Sequence, residues 1–342
     1  MEQRTIKEGL SVSVLGLGCG PLGGLYDRLD EEQASATVAA ALDAGITYFD
    51  AAPLYGMGLA EHRLGTALRR RRDGAVISTK VGRLLRPAGP SGAAPSMFHD
   101  ALPFEAVYDY SRDGVMRSIE GTLKRLGTDH VDMLAIHDPD EAIHFAPGED
   151  PYARSRFSEA MDGAYPVLEE LRSQGVVKAI GVGINQWQML RDFVTAGRFD
   201  YFLLAGRYTL LEQEPLADLL PACAARSTRI IIGGPYNSGI LATGARQGAT
   251  FNTRAAPPGV LDRVARIEAV CDRHGVPLPA AALQFPLGHP IVASVIPGAR
   301  SVSELQQNLD YIRHPIPAAL WTELQAEGLV DAEAPLPAGQ VA

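Results

Sequence analysis

A parallel (β/α)8 barrel is the fold that the 342-residue sequence predicts, and three observations predict it. Short β-branched apolar runs alternate with longer Ala-rich amphipathic segments along the chain, as repeated βα units require. Eight such runs can be counted, with no break in composition between them. The glycine-rich turn near the start also fails the pattern of the competing doubly wound fold. Gly16, Gly18 and Gly20 lead into Pro21-Leu22-Gly23-Gly24, and the next helical pattern begins only near Asp30. A dinucleotide-binding turn would pass directly from strand to helix.

The candidate strands are residues 14–17, 47–50, 76–80, 131–137, 177–182, 201–205, 230–233 and 293–297. Helical patterns fall between and after them at about 31–44, 60–72, 112–126, 160–174, 186–197, 215–226, 260–274 and 302–312. Gly45, Gly74, Gly127, Gly175 and Gly275 supply the expected helix stops. The continuous alternation favours a single domain over residues 1–330, with 331–342, rich in Pro and Gly, as a flexible tail. Two stretches after strand ends, 83–111 and 138–159, are long enough to be binding loops. Four aromatics in the first, Phe98, Phe104, Tyr108 and Tyr110, suggest a packed cover.

Thirty-one basic against 40 acidic side chains give a net charge of −9, which argues against nucleic-acid or anionic-membrane binding. The run Arg69–Arg72 reads as the solvated end of a helix. Cys19, Cys223 and Cys271 have neither disulfide-framework nor zinc-knuckle spacing. No stretch approaches 18 uncharged apolar residues, and the start lacks an apolar leader. These features lead to the expectation of a cytoplasmic protein, a monomer or small homo-oligomer, acting on a small-molecule substrate.

Barrel chemistry is carried at the C-terminal ends of strands, and there the sequence places Asp50, Lys80 and His137, with Tyr55 in the loop after Asp50. Singly, these could be a turn cap, a solvated strand end, a core histidine and a rim aromatic. Together on consecutive strands they form a candidate catalytic set. Tyrosine, with a pKa of about 10, needs a nearby ammonium to act as an acid–base group at neutral pH. Lys80 could supply it, and Asp50 could hold the lysine. A Schiff-base role for Lys80 is the rival chemistry.

The segments 44–56, 77–80, 125–137, 180–183 and 294–300 make the chain resemble the aldo-keto reductase superfamily over roughly residues 5–315. The resemblance implies that Asp50, Tyr55, Lys80 and His137 are the catalytic tetrad of a nicotinamide-dependent oxidoreductase with no metal. Residues 103–118, 205–213 and 281–286 carry a finer likeness. It is to the branch of D-threo-aldose 1-dehydrogenase (L-fucose dehydrogenase), L-galactose dehydrogenase and pyridoxal 4-dehydrogenase.

By the same resemblance, Asn185 is the surviving amide contact to the carboxamide, since Gly183-Ile184 stands where many relatives have Ser-Asn. Leu204 takes the place of the usual strand-six Gln. The stacking aromatic after strand seven aligns near Gly233, with Tyr236 a few residues later. Gly18 and Gly20 are either turn glycines or points of close approach to the cofactor. Residues 297–303 lead into a helix start near Ser303 that could bind an adenosine phosphate. Gly298, Arg300, Glu304 and Asn308 are the candidate contacts there. Glu304 would repel a 2′-phosphate and favours NAD, although Arg300 leaves NADP possible. Arg207 and Tyr208, with Tyr55 and His137, are candidate substrate contacts.

The expected reaction is oxidation of a cyclic aldose hemiacetal, of the L-fucose, L-galactose or D-arabinose type, to the lactone with NAD⁺. Tyr55 would be the general base, Lys80 would lower its pKa, Asp50 would orient Lys80, and His137 would donate to the reacting oxygen. The alternatives are pyridoxal oxidation to its lactone, a general NADPH aldehyde reductase and a non-catalytic nicotinamide-sensing subunit.

Overall fold

Residues 1–89, 97–140 and 155–338 are described by the computed structural model of the chain. Eight parallel strands form one sheet: Leu17–Gly18, Tyr48–Asp50, Val76–Val81, Met133–His137, Ala179–Ile184, Tyr201–Ala205, Arg229–Gly233 and Val292–Ile296. Each pairs with its neighbour in chain order. The first and last strands then meet through parallel bridges Leu15↔Val295 and Gly18↔Gly298, which closes the barrel. Gly18 donates its N–H to Pro297 O at 3.1 Å, and a Cβ on Gly18 would stand 2.9 Å from Ile296 O. At this seam the glycine serves the close passage of two backbones.

Alternation along the strands decides which side chains face the barrel axis. Tyr48, Met133, Ala135, Ala179, Tyr201, Leu203, Ile231 and Ile296 form one buried cluster inside it, separate from the larger core beneath the helices. An antiparallel hairpin, Gln3–Lys7 with Leu10–Ser13, adds Ile6, Leu10 and Val12 to the inner cluster. The hairpin is tied to strand beginnings, with Lys7 Nζ on Asp200 at 2.9 Å and Arg4 on Val292 O at 2.8 Å. It plugs the end of the barrel opposite the strand C-termini.

The structure departs from the sequence reading in several places. The N-terminal hairpin and the helices Leu278–Gln284 and Ala318–Ala326 were not among the expected elements. Strand one runs over Leu17–Gly18 instead of 14–17, because residues 14–16 are engaged in the seam with strand eight. The helix expected at 60–72 ends at Leu68. Arg72 then turns back to donate to Ala75 O, His130 O and the buried Asp132, so the last arginine of the run is structural instead of solvated. The 83–111 stretch contains a hairpin, Arg83–Pro87 with Phe104–Tyr108. Residues 90–96 of that loop and 141–154 of the second lie outside the described residues. In the expected tail, Ala334 is buried and Gln325 Nε2 donates to the carbonyls of Asp331, Ala332 and Ala334, so residues 331–338 are pinned against the barrel. Residues 339–342 lie outside the described residues.

Between the helices Leu59–Leu68 and Arg112–Leu126 sits Glu61, whose side chain is wholly buried. It accepts from Thr79 Oγ1 (2.7 Å), Thr122 Oγ1 (2.9 Å) and Arg125 Nε (2.7 Å). Removing one partner of a buried ion pair strands the other charge. Glu61→Ala should therefore destabilise the fold by about 3–5 kcal/mol in urea unfolding. A loss below about 1 kcal/mol would mean that Arg125 finds solvent at little cost.

Candidate active site

Inward-facing positions of three adjacent strands build the site. Asp50 ends strand two, Lys80 lies near the end of strand three and His137 ends strand four. Tyr55 comes from a sharp turn in which Gly56 (φ 63°), Met57 (φ 54°) and Gly58 (φ 96°) all take left-handed backbone. A Cβ on Gly56 would lie 2.4 Å from Gly23 O, so the loops after strands one and two pack backbone to backbone and fix the tyrosine.

Lys80 Nζ donates to Asp50 Oδ2 at 2.6 Å, Ala51 O at 2.8 Å and Tyr55 Oη at 3.3 Å, and lies 4.8 Å from the Tyr55 ring centre. Three acceptors satisfy all three ammonium hydrogens, which a buried lysine needs to stay charged. Burial works against the charge, but Asp50 and Tyr55 outweigh it and hold the ammonium above its ordinary pKa. Asp50 is held in turn by Ser78 Oγ at 2.5 Å, itself 3.0 Å from Tyr48 Oη. Gly183 on strand five leaves room for the lysine stem, since a Cβ there would approach Lys80 Cε to 3.3 Å.

The expectation that Lys80 lowers the Tyr55 pKa holds as one contribution among several. Burial raises it more, Asp50 and Asp138 add to the rise, and Tyr55 is pushed up to about 12. In the resting site the phenol therefore carries its proton at neutral pH. His137 packs edge-on to Tyr55 with ring centres 5.9 Å apart. Burial brings His137 down to about 3, against the opposing pull of Asp138, so the imidazole is neutral. Tyr110 Oη donates to His137 O at 2.5 Å and fixes the end of strand four. Gly163 allows the helix beyond to pass close to that tyrosine, since a Cβ would fall 2.2 Å from Tyr110 O.

These groups open into a cavity of about 490 Å³. Its lining includes the apolar Leu25, Met97 and Phe98, with the Phe98 ring 6.0 Å from Tyr55. Its polar lining includes Arg83, Asp138, Asn185, Arg207 and Asn252. Gly183, Gly206 and Gly234 line it with backbone alone, which leaves space for a flat ring. The residues therefore fit a nicotinamide beside Tyr55 and His137. Among the described residues, no group of three His, Cys, Asp or Glu side chains could hold a metal ion.

The remaining expected residues fall in different places. Asn185 reaches the cavity, its Nδ2 donating to Ala205 O at 3.2 Å. Arg207 also lines it and donates to Asn252 Oδ1 at 2.9 Å. Tyr208 does not: its side chain is in the core, with ring centres 5.6 Å from Phe285 and 5.9 Å from His289. Tyr208 follows an inward residue and points the other way. Gly18 and Gly298 serve barrel closure, and a Cβ on Gly298 would clash with Pro21 at 2.6 Å. Gly20 precedes the short turn Pro21–Gly23. The helix after strand eight is Val302–Arg313, capped by Ser301, in keeping with the expected start near 303. Glu304 accepts from Arg300 N at 2.8 Å, Nε at 3.0 Å and Nη2 at 2.6 Å, and Asp27 lies 3.3 Å from Arg300 Nη1. Asn308 accepts from Tyr236 Oη at 2.6 Å, so Tyr236 turns toward this helix and is not among the cavity-lining residues.

The sequence reading did not assign Arg83, Phe98 or Asn252 to the site. Asp140, buried and outside the cavity lining, has its pKa raised by burial and by the charge of Asp138. Arg83 could have been found from its place two residues beyond the end of strand three.

A barrel with such a mouth belongs to a class of enzymes, the NAD(P)-dependent oxidoreductases acting on CH–OH groups. The chain belongs to the aldo/keto reductase family, whose pattern matches residues 14–327. It is 41% identical to pyridoxal 4-dehydrogenase of Microbacterium luteolum over 339 residues, 96% of this chain and 98% of that protein. Against D-threo-aldose 1-dehydrogenase of a Pseudomonas species the identity is 40% over 328 residues, 94% and 96% of the two chains. L-galactose dehydrogenase of Arabidopsis thaliana is 28% identical over 327 residues, 94% of this chain and 88% of that one. The fold is shared with the holo form of an aldo-keto reductase from Bacillus halodurans, with TM-score 0.73, 24% identity and 98% of each chain covered.

The neutral, buried His137 has a consequence for acid stability. The unfolded chain protonates this histidine below about pH 6.5, whereas the folded chain does so only near 3. Stability is then lost as pH falls from 6.5 towards 3, by at most about 1.4 kcal/mol per unit. His137→Gln should remove that slope in urea midpoints measured across this range. An identical slope in the variant would assign the acid sensitivity to another group.

Proposed function

We propose that the enzyme oxidises the anomeric hydroxyl of a cyclic aldose hemiacetal to the lactone with NAD⁺. What carries this reading is the cavity, whose lining joins Tyr55 and His137 to the polar side chains of Asn185, Arg207 and Asn252. Such a set suits a ring bearing several hydroxyls. The near-equal identity to an aldose and a pyridoxal dehydrogenase supports a cyclic hemiacetal as the common substrate form. The Phe98 ring favours a second reading, pyridoxal, whose flat ring would stack there.

A bound oxidised nicotinamide supplies the hydride acceptor. Asn185 would hold its amide, and the turn 298–301 with the helix Val302–Arg313 would hold the adenosine end. The chain's own groups handle the proton. Tyr55 Oη takes the hydroxyl proton, and Lys80, 3.3 Å away, stabilises the phenolate that oxidation requires. Asp50 and Ala51 O keep the ammonium pointed at Tyr55. His137 donates to the reacting oxygen. In the reverse direction the protonated Tyr55 is ready as the acid. At the adenosine end Asp27 and Glu304 flank Arg300, so a 2′-phosphate would meet two carboxylates already paired with that arginine.

The test is the initial rate of NAD(P)H formation with L-fucose, L-galactose, D-arabinose, D-galactose and pyridoxal, each with NAD⁺ or NADP⁺. Sugar turnover with NAD⁺ supports the first reading, and turnover of pyridoxal alone replaces it with the second. Tyr55→Phe should bind cofactor as before, by fluorescence titration, and lose at least about 100-fold in turnover. With Tyr55 pushed up to about 12, oxidation by the native enzyme should accelerate from pH 7 to pH 9 as phenolate grows. A rate flat over that range would deny Tyr55 the role of base. Glu304→Ser should raise kcat/KM for NADP⁺ relative to NAD⁺ by about tenfold, equivalent to about 1.4 kcal/mol. An unchanged ratio would remove Glu304 as the discriminator.

A further inference from the structure

Next to His137 on the cavity wall stands a half-buried ion pair that the proton transfer above does not use. Asp138 Oδ2 accepts from Arg83 Nη2 at 3.0 Å and lies 3.5 Å from His137 Nε2. The aspartate is held in left-handed backbone (φ 44°), with its N–H on Gly183 O at 3.1 Å. Arg83 opens the hairpin Arg83–Pro87/Phe104–Tyr108 and lies flat on the ring of Tyr108, guanidinium carbon 4.1 Å from the ring centre. Tyr110, two residues beyond that hairpin, fixes the His137 carbonyl. One inserted hairpin thus secures both the aspartate and the backbone of the histidine between them.

A neutral imidazole carries one proton on one of two nitrogens. With the proton on Nδ1, a buried N–H would have no acceptor among the described residues, and the Nε2 lone pair would stand 3.5 Å from a carboxylate. With the proton on Nε2, the N–H lies in the field of the carboxylate 3.5 Å away without being tied to it by a hydrogen bond, and only an acceptor is left unfilled, the cheaper omission. We propose that Asp138, anchored by Arg83, is a positioning residue that keeps the His137 proton on Nε2, so that the histidine is a donor at the cavity wall. The tautomer follows from the geometry alone. Its catalytic consequence rests on the reading of His137 as donor to the reacting oxygen.

Imidazole 15N–1H correlation spectra of the whole chain test this, with the His137 signal assigned by its loss in His137→Gln. Native protein should show Nε2 protonated. Asp138→Gly, which suits the left-handed backbone and removes the carboxylate, should give a mixed or Nδ1-protonated ring. Asp138→Asn keeps an oxygen for Arg83 and His137 and should restore the native pattern. In turnover with the substrate found active, Asp138→Gly should lower kcat by about 100-fold, as loss of one donor to a developing oxyanion does, with KM for the nicotinamide cofactor unchanged. An Nδ1-protonated ring in native protein, or the native tautomer kept in Asp138→Gly, overturns the proposal. Failure of every hemiacetal substrate beside the expected spectra would instead overturn the function reading and leave the tautomer assignment standing.

Discussion

The structure is organised around one charge that has no access to water. The Lys80 ammonium is sealed inside the barrel and persists there because Asp50, Ala51 O and Tyr55 take its three hydrogens. Desolvation on this scale exceeds what a single ion pair recovers, so the secondary partners matter as much as the first. Ser78 and Tyr48 hold Asp50, and Gly183 yields the volume the lysine stem occupies. Three strands and the loop after the second contribute to one charge. Any change in barrel register would part them, and the closing seam at Gly18 and Gly298 keeps that register.

The arrangement also divides labour between the two ends of the strands. At the N-terminal end, Asp132 and Asp200 are occupied by Arg72, Lys178, Lys7 and Arg172, and their carboxylates further accept from the backbone N–H groups of Ile77 and Ile180. Those charges hold strands together. At the C-terminal end the side chains converge on open space, and burial is the largest cause of the perturbed proton affinities of Tyr55 and His137. Tyr55 shows the balance most clearly, for the same enclosure that strengthens its bond to Lys80 also resists its ionisation.

Much of this was legible in the sequence because period-two alternation and strand order are local signals. Asp50, Lys80 and His137 could be placed at adjacent strand ends, and the structure brings them within one site with Tyr55. What was not legible depended on chain reversal or parity. The hairpin starting at Arg83 lies in a stretch without a strong strand pattern, so its delivery of an arginine to Asp138 had no sequence signature. Tyr208 was grouped with Arg207, although successive residues beyond a strand end face opposite ways. Gly298 and Gly18 also serve a backbone crossing that only closure of the barrel reveals.

The pinned segment 331–338 carries a consequence for how the molecule can be attached to other things. Leu336, Pro337 and Ala338 line the same surface recess as Glu2 and Arg4, next to the hairpin that plugs the barrel floor. Both ends of the described chain therefore emerge side by side on the face turned away from the chemistry. A tether, surface or fused module joined at either place would leave the mouth unobstructed. A short linker between the two would make a ring of the chain while leaving the barrel wall and its seam uncut.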